Sequence, residues 1–183
     1  MANYNTLSST CIDLPGGANE LALYSMLLVS AYADEAAADS SLNPFPSPED
    51  ILLKTDQAVE GSNLAVARIA ASYINRQFPE FGAFDDDINE QGFELNLEDD
   101  LLYISHDENL HVQKACNFIS VCLAEFNVDK EVPLTYANTC SRSLPDCFSG
   151  GVSLIDKNGF EVFNQSDALA VLMQRSASKK QSD

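Results

Sequence analysis

Bases are scarce in this chain of 183 residues: ten Lys and Arg stand against 28 Asp and Glu, a formal charge of −18. No cationic stripe is present, and Lys179-Lys180 near the end is too little to offset repulsion between this chain and a phosphate backbone. Direct binding to DNA, RNA or anionic lipid is therefore disfavoured. No apolar run reaches the roughly 20 residues needed to span a bilayer. The apolar stretch Leu21–Ala33 resembles the core of a signal peptide. The segment ahead of it, however, has no Lys or Arg and contains Asp13 and Glu20, so export is not expected.

Several chemical motifs are also missing. There is no Walker A loop, no dinucleotide fingerprint and no G-x-S-x-G elbow, and Ser149-Gly150-Gly151 lacks the Lys and following helix of a phosphate cradle. His106 and His111, the only histidines, are five positions apart. On a helix that separates them by about 140°, whereas a zincin pair shares one face. A calcium loop starting at Asp85 would need glycine sixth and glutamate twelfth, but Glu90 and Asn96 occupy those places. No cofactor or metal is expected. The five cysteines (Cys11, Cys116, Cys122, Cys140, Cys147) are odd in number and not tightly spaced, which points to a reducing compartment. Cys116 and Cys122 fall within an apolar helical pattern and read as small core residues. A nucleophile at Cys140 or Cys147 activated by His106, in the loop from Thr139 to Arg142, is the enzymatic alternative. Acidic surroundings raise thiol pKa values and weigh against it. The expected class is non-enzymatic.

What is present is an α+β pattern. Asn3–Leu14 reads as a strand ending at Pro15-Gly16-Gly17. Ala18–Ala38 reads as a long helix with Leu21, Tyr24, Leu27, Leu28, Ala31 and Tyr32 at helical spacing. Ser47-Pro48-Glu49-Asp50 starts a helix expected to stop near Gly61. A second helix, Asn63–Phe78, is expected to end before Pro79. Phe93–Leu97 and Leu101–His106 alternate as strands, Asn109–Phe126 has helical spacing, and Val132–Thr139 is a further strand. Val152–Ile155 and Phe160–Phe163 flank the hairpin signal Asn158-Gly159. Ser166–Met173 reads as a short helix. With the helical pair of about 47–78 set aside as an insertion, the order is β-α-β-β-α-β followed by a hairpin. This is the ferredoxin-like split βαβ arrangement, an antiparallel sheet with helices on one face. One domain over 1–175 and a disordered tail over 176–183 are expected.

The charge is segregated. Residues 1–110 carry 20 acids against Lys54, Arg68 and Arg76, whereas residues 111–183 carry eight acids and seven bases. The densest part holds Glu80, Asp85, Asp86, Asp87, Glu90, Glu94, Glu98, Asp99, Asp100, Asp107 and Glu108, with no base among them. Crowded like charge costs stability, so its presence suggests a use. One such use is to imitate the phosphate rows of a duplex and occupy a basic groove on a nucleic-acid-processing protein. The expected partner-binding residues are Asp85, Asp86, Asp87, Glu90, Glu94, Glu98, Asp99, Asp100, Asp107 and Glu108.

Met1-Ala2-Asn3-Tyr4-Asn5-Thr6, Leu134-Thr135-Tyr136-Ala137-Asn138-Thr139-Cys140-Ser141 and Phe148-Ser149-Gly150-Gly151-Val152 carry a resemblance. The chain resembles a group of small acidic proteins encoded by bacteriophages and plasmids, a group to which no activity is assigned. In that group a strand ending in Thr-Cys-Ser, usually followed by Lys, leads to Phe, a glycine run and another strand. Here Arg142 stands in place of that Lys and Ser149 in place of a glycine. The likeness covers the start and about 92–164, and it does not extend to the helical pair. It implies a mobile-element accessory protein in the bacterial cytoplasm that binds and disables a host protein, with a defence enzyme as one such target. A structural or assembly protein is a third reading.

Overall fold

A computed structural model describes residues 4–38, 43, 45–56, 61–81, 92–106, 110–140, 149–168, 170, 171 and 173. Six strands form one antiparallel sheet. They are β1 (Tyr4–Ile12), β2 (Glu94–Glu98), β3 (Leu101–His106), β4 (Val132–Cys140), β5 (Ser149–Asp156) and β6 (Gly159–Asn164). Their spatial order is β2-β3-β1-β4-β5-β6. The first four strands reproduce the split βαβ order expected from the sequence, and the β5–β6 hairpin extends the sheet beyond β4.

Period-2 alternation sets the two faces. Ile12 pairs with Leu102 and Val132 with Ile155, and these residues are buried with Ile104 and Leu134 on one face. Ser9, Cys11, Thr135, Ala137 and Leu154 lie exposed on the other. The paired register of β1 with β4 stops at Ser8 and Tyr136. Beyond it the Ser8 hydroxyl donates to the Thr135 carbonyl at 2.6 Å and the Thr10 hydroxyl to the Pro133 carbonyl at 2.9 Å. Side-chain donors thus continue the contact where Pro133 has no N–H to give.

Among the described residues four helices lie on the apolar side of the sheet: α1 (Ala18–Ala38), α2 (Pro48–Lys54), α3 (Gly61–Phe81) and α4 (Val112–Glu125). α1 and α4 contact the sheet, α3 packs over both, and α2 packs against α3 and α1. The inserted pair therefore adds a helical layer. Tyr73 of α3 meets Phe93 and Phe118 edge-on, with ring centroids 6.4 and 5.8 Å apart. Being sandwiched, α4 is buried without interruption from Lys114 to Leu123.

Three sequence expectations change, and the structure selects the buried stripe of α1. α1 buries Ala22, Met26, Val29, Tyr32 and Ala33, while Tyr24 and Leu27 are 53% and 61% exposed. The helix is apolar around most of its circumference, so periodicity alone does not say which stripe meets the sheet. α2 stops at Lys54: the Thr55 N–H makes the last helical bond, to the Ile51 carbonyl, and Asp56 then leaves the helical region with φ 55°. α3 continues through Pro79 to Phe81, since a proline in the last turn forfeits a single helical hydrogen bond. The β5–β6 turn residues are Lys157 and Asn158, one position earlier than expected. There the Asp156 carboxylate accepts the Asn158 and Gly159 N–H groups at 2.7 and 3.0 Å and closes the turn locally. Helical residues follow β6 from 165; the expected tail over 176–183 lies outside the described residues.

Candidate functional site

β2 is an edge strand that pairs with β3 alone. Leu95 and Leu97 turn inward opposite Ile104 and Leu102, so period 2 places Glu94, Asn96 and Glu98 outward, and all three are exposed. The strand turns back through Asp99 and Asp100, whose φ angles are 50° and 61°. A tight hairpin favours positive φ at both central positions, where Asn-Gly is the relaxed choice. Two aspartates there cost about 1 kcal/mol each in backbone conformation and repel one another as well. Buried Asn19 holds the turn in place: its amide nitrogen donates to the Asp100 carbonyl, and its oxygen accepts the Leu14 N–H at 3.1 Å.

Two of the three bases of the acidic half are turned away from this edge. Arg68 pairs with Glu125, and Arg76 donates to the Ser120 hydroxyl at 2.7 Å, so both are directed toward α4. Partial burial holds the Arg76 guanidinium below its usual pKa. Among the described residues none of Glu94, Glu98, Asp99 and Asp100 is in an ion pair. The structure thus brings four of the expected partner-binding residues together, on one strand and its turn. Asp85, Asp86, Asp87, Glu90, Asp107 and Glu108 lie outside the described residues, and so does the calcium-loop position.

The thiol chemistry is less favourable. Burial pushes the Cys116 thiol up to about 11 and raises the Cys122 thiol further, so both stay protonated at neutral pH. Cys11 is exposed on the open sheet face. His106 ends β3, and His111 is the N-cap of α4, its Nδ1 facing the Lys114 N–H at 3.4 Å. Glycine is required at Gly92, because a Cβ there would stand 2.6 Å from that of His111 and φ is 64°. The side chains of Cys140 and Cys147 lie outside the described residues, as does the loop from Ser141 to Phe148. Among the described residues no group of three or more His, Cys, Asp and Glu could hold a metal, and no helix is long and apolar enough to cross a membrane.

Sequence reasoning did not anticipate an apolar groove of about 570 Å³ between α1, α2 and α3. Its signal was the same all-round apolar character that leaves the core face of α1 unassigned by spacing alone. No protein-family model, curated protein or solved structure matches the chain.

Proposed function

We propose that this protein is a non-enzymatic accessory protein of the phage or plasmid type that binds and inhibits a basic host protein through the acidic β2 edge. The observation that carries the reading is the row Glu94, Glu98, Asp99 and Asp100, exposed on β2 and its turn and not engaged by Arg68 or Arg76. Two aspartates at positive φ represent a stability cost that a purely structural turn would avoid. We infer action in the bacterial cytoplasm from the likeness in sequence to small acidic phage- and plasmid-encoded proteins.

Imitation of nucleic acid sets a stricter requirement. Glu94 to Glu98 spans about 13 Å of strand. With the turn added, the four carboxylates cover roughly 20 Å, over which a duplex carries about 12 charges. The β2 edge alone is therefore too sparse, and mimicry requires Asp85, Asp86, Asp87, Glu90, Asp107 and Glu108 to share its face. The target of such a dense surface is a nucleic-acid-processing or defence enzyme.

The test is capture from a bacterial lysate on immobilised protein, eluted by a salt step. A defined basic protein should be retained by the wild type and captured measurably less by a Glu94→Gln/Glu98→Gln/Asp99→Asn/Asp100→Asn variant. Undiminished capture by the neutral variant would remove the β2 edge from the account. Neutralising Asp85, Asp86 and Asp87 in addition separates mimicry, which requires a further loss, from simple edge binding.

A further inference from the structure

We infer that the groove between α1, α2 and α3 is a second docking site, one that takes a helical partner segment carrying apolar residues along one stripe and Lys or Arg at one end. Leu21, Tyr24 and Leu28 line the groove as a single stripe of α1, at positions i, i+3 and i+7, about 10 Å long. The facing side carries Val66, Ser62 and Asn63 of α3, with Leu52 of α2 at its floor. Leu27 also lines it and is 61% exposed, and Leu53 on the same short helix as Leu52 is 77% exposed. A helix apolar on both its buried and its solvent side is unusual for a surface element and marks a surface that something covers. Two turns of apolar stripe in a groove match the spacing by which an amphipathic helix is gripped.

Charge decides what covers it. Glu20 lines this groove and also a neighbouring cleft of about 330 Å³ formed by Asp13, Gly16, Gly17 and Asp100. The apolar groove therefore runs into a carboxylate-lined end. Among the described residues no ion pair engages Asp13, Glu20 or Asp100; Lys130 borders the cleft but donates to the Asp13 carbonyl at 3.0 Å. A second copy of this chain would bring the strongly acidic half against itself, and an anionic membrane would meet the same repulsion. A cationic end on an apolar helix satisfies both parts. The site stands on apolar exposure and does not depend on the β2 reading, although Asp100 borders both surfaces.

The experiment is titration calorimetry with a synthetic amphipathic peptide bearing Leu at i, i+3, i+4 and i+7 and Lys elsewhere. Two controls replace every Leu with Ser or every Lys with Glu. The Leu/Lys peptide should bind, and Leu27→Asp should weaken it by about tenfold. That substitution adds a negative charge that on its own would strengthen attraction to Lys, so a loss reports the apolar contact. Asp13→Asn/Glu20→Gln should weaken binding at low salt and have little effect at high salt. Three results each overturn the inference: equal binding of the Ser control, which indicates charge attraction alone; unchanged binding to Leu27→Asp; or Leu27-dependent self-association in sedimentation, which makes a second copy the occupant. Because Leu27→Asp leaves Glu94, Glu98 and Asp99 intact, failure here is separate from failure of the β2 edge.

Discussion

At the scale of single residues, Gln77 of α3 is the least satisfied side chain among the described residues. It is 2% exposed, and neither of its amide atoms has a hydrogen-bond partner. A buried amide without partners costs about 1–3 kcal/mol, so Gln77→Met should raise stability by about 1 kcal/mol in urea unfolding. A loss on that substitution would mean that the amide has a polar role. Thiol reactivity separates the cysteines by burial. Peptide mapping after alkylation at pH 8 should find Cys11 modified and Cys116 and Cys122 untouched until the protein unfolds. Asp50 gives a pH-dependent case. Its carboxylate accepts the Ser47 backbone N–H at 2.9 Å and is held below the usual carboxyl range, first by that bond and then by the Ser47 hydroxyl. A depressed folded pKa contributes stability that is present above the unfolded value and lost as pH falls through the folded one. The stability difference between wild type and Asp50→Asn should therefore shrink on acidification below about pH 4. A difference independent of pH would contradict the assignment.

At the scale of elements, the aromatic contact of Tyr73, Phe93 and Phe118 ties α3 to α4 and to the entry of β2. Phe118→Ala should cost about 3–5 kcal/mol, measured by chemical unfolding, because it opens a cavity between the helical layers. The β2–β3 turn makes the opposite prediction. Asp99→Asn/Asp100→Gly installs the residues its φ angles prefer and should stabilise by about 1–2 kcal/mol while weakening partner capture. The elements readable in advance were those whose pattern has one physical solution. Ala18–Ala38 is bounded by Pro15-Gly16-Gly17, and Leu101–His106 alternates cleanly. Given β-α-β-β-α-β, the chirality and adjacency of connections leave few strand orders. The core face of α1 was not readable, because Leu21, Tyr24 and Leu27 satisfy helical spacing as well as Ala22, Met26 and Val29 do. Only the close approach of the sheet and α3 selects the smaller set. The groove was hidden for the same reason. The acidic residues of β2 were readable as a cluster, but their lack of counter-charges depends on where Arg68 and Arg76 point, and that is tertiary information.

At the scale of the whole molecule, the charge of −18 produces two opposed salt effects. Screening relieves self-repulsion in the folded state, so added NaCl should raise the melting temperature. The same screening shortens the reach of the β2 carboxylates to about 8 Å at physiological ionic strength, so partner association should slow. These effects meet in the association rate between this protein and the basic partner it captures, followed by stopped flow across ionic strength. The account predicts a steep fall in on-rate with salt for the wild type. It also predicts a slower on-rate with a shallower salt dependence for Glu94→Gln/Glu98→Gln/Asp99→Asn/Asp100→Asn, with the fold retained. Equal on-rates and equal salt dependence for the two proteins would contradict it.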